Sequence, residues 1–140
     1  MSVLPKIPAS FQEQSWSDGI IRRGYVRRGY VAEVPGLHPE LRFVFEPLLP
    51  EPADELDMAM ARAKSPGAAV MVVVKKLTLL VKAWSFDEPI SEMAMRTLQP
   101  SMLNRLRLIV CGRGATDLDP LWTPETDGDP YEPIEETLGN

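Results

Sequence analysis

Proline occupies 14 of the 140 positions, about twice the usual share, and its placement marks the element boundaries of this chain. Each proline fixes its own φ, removes a backbone donor and biases the preceding residue away from helical geometry. Helices are therefore expected to open at prolines, and strands to end at them. Pro47, Pro50 and Pro52 follow one alternating run, Pro66 interrupts an apolar region, and Pro100 precedes another. The first 19 residues, with two prolines, four serines and little periodicity, read as an irregular arm in which Phe11 and Trp16 are the candidate anchors.

From Ile20 the texture changes. The pentapeptide RRGYV occurs at 22–26 and again at 27–31, rich in β-branched and aromatic residues. As a strand it puts Tyr30, Ala32 and Val34 on one face. After the turn PGLHPE, LRFVFEP alternates again, with Leu41, Phe43 and Phe45 on one face and Arg42, Val44 and Glu46 on the other. Two such runs around a short Pro/Gly connection predict a β-hairpin.

Pro52 suits the first turn of a helix running to about Lys64, with Glu51, Asp54, Glu55 and Asp57 near its positive end and Leu56, Met60 and Ala63 buried. Val70, Val73, Val74, Leu77, Leu80, Val81 and Trp84 follow helical spacing over four turns, predicting a central helix that closes on Trp84; the valines at 72–74 would also suit a strand. Ser91 is placed to cap a short helix over EMAMRTLQ. Pro100 opens a last helix burying Met102, Leu103, Leu106, Ile109 and Val110, with Gly112 at its C-cap. The expected architecture is α+β: an N-terminal β-hairpin packed on three or four helices, as one domain over 20–114.

Residues 115–140 carry eight acids and no base, so the rest of the chain holds 15 bases against 12 acids. With four prolines and few aliphatics this segment reads as an acidic tail, and its removal is expected to leave the fold intact. Trp122 is its candidate anchor. The apolar stretch from Ala68 to Trp84 contains Lys75, Lys76 and Lys82, which excludes a membrane span. The start, MSVLPKIPAS, has no charged stretch followed by an apolar run, so no secretory signal is expected and a cytosolic protein is.

Little here suggests catalysis. The one histidine, His38, sits in the presumed turn and is expected to be solvated; the one cysteine, Cys111, is expected to be a small core residue. No phosphate-binding loop or nucleophile elbow occurs, and one cysteine with one histidine cannot make a zinc site. The Asp-x-Asp-Pro clusters at 117–120 and 127–130 lack calcium-loop spacing and read as Asx-turns. Catalytic, cofactor and metal residues are accordingly assigned to none. The candidate interaction patch is Arg22, Arg23, Tyr25, Arg27, Arg28 and Tyr30, where guanidinium groups alternate with aromatic rings. It reads as the charged face or edge of a hairpin, as a receiver for an acidic tail of the same or a neighbouring chain, or as a nucleic-acid contact.

Over residues 30–121 the order of features resembles the small tail assembly chaperones of long-tailed bacteriophages. The resemblance lies in a strand pair ending in FVFEPLLP, an acidic Ala-rich helix, an apolar helix closing on Trp84, WSFDEPI, the Leu98-x-Pro100 step, NRLRLIVCG and an Asp-x-Asp-Pro tail. The duplicated RRGYV and the first 19 residues lie outside that pattern. It implies a non-enzymatic morphogenesis protein in the host cytoplasm or the virion, binding the tape measure protein and recruiting tail tube subunits. In that family an elongated form is often made by frameshifting near the C-terminus. The alternatives are a structural virion protein (tail, neck or capsid-associated subunit) and a nucleic-acid-associated module using the arginine patch. Homo-oligomers fit the first two; a nucleic-acid partner and a membrane are not expected.

Overall fold

The structure, a computed structural model, describes residues 4–122. The part of the expected tail beyond residue 122 lies outside the described residues. The fold is α+β, with four strands and four helices among the described residues. β1 (Gln12–Glu13), β2 (Tyr25–Val31), β3 (Leu41–Phe45) and β4 (Val81–Trp84) form one sheet in chain order, β1 parallel to β2 and the others antiparallel. The helices are α1 (Pro50–Arg62), α2 (Pro66–Leu80), α3 (Glu92–Arg96) and α4 (Pro100–Val110).

The local signals act as expected at most ends. α1, α2 and α4 each begin with proline in the first turn, where its missing N–H forfeits no helical bond. Ser65 and Ser91 accept from the N–H of Ala68 and Ala94, capping α2 and α3. α4 ends in a Schellman motif: Gly112, at φ 72°, donates to Ile109 O while the N–H of Arg113 donates to Leu108 O.

The hairpin β2–β3 pairs Gly29 with Phe43 and Val31 with Leu41. On that face Val31, Leu41, Phe43 and Phe45 meet Val73, Val74 and Leu77 of α2 and Leu106 and Val110 of α4. Burying this apolar surface is the main driving force for the fold. The opposite face carries Val26, Arg28, Tyr30, Arg42 and Val44, and the two terminal segments come against it. The Arg28 guanidinium donates to Pro5 O at 2.7 Å, and Arg42 pairs with Asp119.

Four expectations are corrected. The central helix stops at Leu80, and residues 81–84 turn into β4, pairing with β3 through Phe43↔Trp84 and Phe45↔Val81. Val81 is buried in either conformation, so the apolar spacing could not separate them. Val70, expected inside, is 42% exposed because the N-terminal end of α2, through Val70, lies beyond the core. The N-terminal arm supplies β1, with Gln14 N–H donating to Val26 O, and its Trp16 packs on Phe45 and donates to Arg28 O. The start of the tail is structural too: Thr116 and Asp117 bond the edge of β2 at Tyr30 and Ala32, so the body does not end at residue 114.

Candidate interaction site

The arginines of the candidate patch do not share a surface. A strand turns successive side chains to opposite faces, so Arg27 and Arg28 part company. Arg27 is 8% exposed, stacks on the Trp16 ring at 4.9 Å and donates to Asp18 O. Arg28 reaches Pro5 O and lies 3.5 Å from Glu13. Arg22, ahead of the strand, donates to Asp18 at 2.8 Å; this hydrogen bond, with one from Gln14, holds the Asp18 carboxyl far below the usual carboxylate range. Arg22 and Arg23 are exposed, and with Tyr25 they border a shallow hollow of about 270 Å³ closed by Glu46 and Leu49.

Tyr30, the last member, belongs to a buried polar network. Its hydroxyl donates to Glu40 Oε1 at 2.7 Å, and its ring lies 4.8 Å under the Arg42 guanidinium. Arg42 grips Asp119 with two hydrogen bonds of 2.8 Å and Glu40 with a third. Beside it, burial alone would raise the Asp117 pKa, but hydrogen bonds from Arg105 and from the Ala32 N–H hold it below its ordinary value. Asp119 also accepts from Leu121 N–H, the Asx-turn expected of Asp-x-Asp-Pro. Trp122 is half-buried and closes that turn by donating its backbone N–H to Asp119 O.

Burial, and then the Glu40 carboxylate beside it, push the Tyr30 pKa up to about 12. The folded state thus holds the proton more tightly than the unfolded chain, whose tyrosine titrates near about 10. Tyr30's contribution is complete below pH ~10 and is lost as pH rises through about 12. Tyr30→Phe is expected to flatten the alkaline fall in stability between those values, as read by urea unfolding against wild type at each pH.

His38, expected in solvent, is 7% exposed, its Nδ1 2.9 Å from Pro39 O. Cys111 lies in a small cluster with Leu48, Ala53 and Leu56, and burial pushes its thiol pKa up, away from nucleophilic chemistry. Among the described residues no group of three or more His, Cys, Asp or Glu side chains could hold a metal ion, and no helix is long and apolar enough to cross a membrane.

Two apolar hollows were not foreseen. A cleft of about 280 Å³ opens between the β4–α3 connection and α4, walled by Trp84, Phe86, Leu98 and Met102. Trp84 and Phe86 meet edge to face at 5.5 Å, and the Trp84 indole N–H is satisfied by Glu88 O at 2.7 Å, leaving the ring faces for packing. A second hollow, about 310 Å³, runs between α1 and α2. WSFDEPI held the signal for the first, two aromatics around a short linker; reading Trp84 as the end of a core helix hid it. Compared with known proteins, the chain matches no family model, no curated protein and no solved structure.

Proposed function

We propose that the chain is a non-enzymatic assembly protein of a long-tailed bacteriophage, a tail assembly chaperone that holds apolar segments of the tape measure protein and brings tail tube subunits to it. The observation that carries this reading is the aromatic cleft. Its walls are apolar, its one indole donor is already bonded, and its charged member, Glu88, lies at the exposed edge. Such a cleft fits an apolar side chain of another protein, and aromatic and methionine walls adapt to varied partners. Three of the four patch arginines are engaged by the N-terminal segment, which supports protein assembly over nucleic-acid binding.

The test is coexpression with the protein of the long tape measure gene expected beside this one. The chain should keep that protein in solution and co-purify with it. The complex should persist at high salt, which screens ionic contacts but not apolar ones. Gln99→Glu, at the exposed rim of the cleft, places a charge beside the apolar walls and an acid at the start of α4, which the helix dipole favours. It should weaken the complex about tenfold or more with an unchanged unfolding midpoint. A complex that dissolves in salt, or one indifferent to Gln99→Glu, would refute this reading.

A further inference from the structure

The hollow between α1 and α2 is lined by two helical stripes. α1 contributes Pro52, Glu55, Leu56 and Ala59. α2 contributes Val72, Lys75, Lys76 and Leu79. Both sets have the i, i+3, i+4, i+7 spacing of a single helix face. Residues 63–65 alone connect the helices, which folds them back antiparallel. Glu55 on one wall and Lys75 and Lys76 on the other thus line the same hollow. Leu56 is buried in the floor, while Leu79 is 66% exposed at the rim. The walls differ in charge: α1 holds four acids and one base, and α2 two lysines and no acid. None of the ion pairs among the described residues uses Glu55, Lys75 or Lys76.

We infer that this face is the interface of a homodimer, in which the α1–α2 hairpins of two copies close into a four-helix bundle. A two-fold axis running along the hairpin lays α1 of one copy over α2 of the other. The wall that carries Glu55 then faces the wall that carries Lys75 and Lys76 of the second copy, and Leu79 meets the apolar residues of the opposing α1. Every contact occurs twice, as an isologous interface requires. An axis across the hairpin would stack α1 on α1 and set Glu55 against Glu55, and like charges facing across an interface are strongly unfavourable. The charges thus select one axis and one occupant, a second copy of this chain. Burying Leu79 and the apolar floor supplies the attraction, and the charges set the register. This surface is separate from the aromatic cleft, so the dimer and the partner reading stand or fall independently.

Sedimentation of the full chain over a concentration series tests it. Wild type should reach twice the 15.6 kDa of the single chain. Glu55→Lys alone, and Lys75→Glu with Lys76→Glu, should each weaken the dimer about tenfold or more, because each sets like charges face to face. Mixing the two variants should restore a heterodimer, since the base introduced on α1 of one copy then faces the two acids introduced on α2 of the other. A merely structural effect of the substitutions would not be repaired by mixing. Leu79→Asp, at an exposed side chain, should give the same loss with an unchanged circular dichroism spectrum. A wild type that stays monomeric throughout, a dimer indifferent to these changes, or variants that stay apart when mixed would overturn the interface.

Discussion

Replacing Asp119 with alanine is expected to cost about 3–5 kcal/mol of folding stability, because it strands a buried guanidinium. The Arg42 side chain is 4% exposed and that of Asp119 2%. Two parallel hydrogen bonds of 2.8 Å join them, the fork-to-carboxylate geometry in which such pairs are strongest. Without Asp119, the Arg42 guanidinium keeps the Tyr30 ring beneath it and one hydrogen bond, to Glu40, which is partly exposed and already shared with the Tyr30 hydroxyl. The asymmetry between breaking a buried pair and replacing it gives the control. Arg42→Met together with Asp119→Leu removes both charges and should fall within about 1 kcal/mol of wild type. Urea unfolding of the three chains decides the matter; equal losses for the single and double changes would show that packing, rather than the stranded charge, sets the cost. A chain ending at residue 114 should lose at least as much as Asp119→Ala, since it also loses Thr116 and Asp117 from the edge of β2. This reverses the expectation that the acidic segment is dispensable to the fold.

Phe43→Ala is the other large effect, about 3–5 kcal/mol by loss of apolar burial and creation of a cavity. The ring is 1% exposed, lies 5.4 Å from Phe45 and occupies the space above Gly29 on the neighbouring strand. A Cβ on Gly29 would collide with that ring, so glycine is required at this position for close approach rather than for turning. Gly29→Ala should cost about 1–3 kcal/mol in the wild-type chain, as over-packing does. In the Phe43→Ala background it should be close to neutral, because the colliding atoms are gone. A double-mutant cycle reads this directly. Additive losses would mean that the strain at Gly29 comes from the backbone and not from the ring.

The second RRGYV repeat explains itself through this pair. Its glycine makes room for Phe43, its tyrosine lies beneath Arg42, and its first arginine stacks on Trp16. The first repeat lies mostly ahead of the paired stretch, and its two arginines face solvent. Identical pentapeptides thus take different roles because only one of them lies opposite β3.

Local rules determined much of this molecule from its sequence. Prolines at N1, serine caps, the glycine after α4 and the alternation of β2 and β3 each act within a few residues, so the hairpin, the helices and the α+β class were legible there. What the tertiary structure alone decided has partners far away in the chain. Apolar periodicity reports that Val81 is buried but not which backbone it bonds, and the open edge of β3 turned the end of the expected helix into β4. Strand alternation separates Arg27 from Arg28, but the path of the N-terminal segment supplied the partners that engage them. Asp119 reads only as an Asx-turn acid because its ligand, Arg42, lies 77 residues earlier. Burial of a charge depends on a partner being brought to it, and only the folded chain path brings that partner.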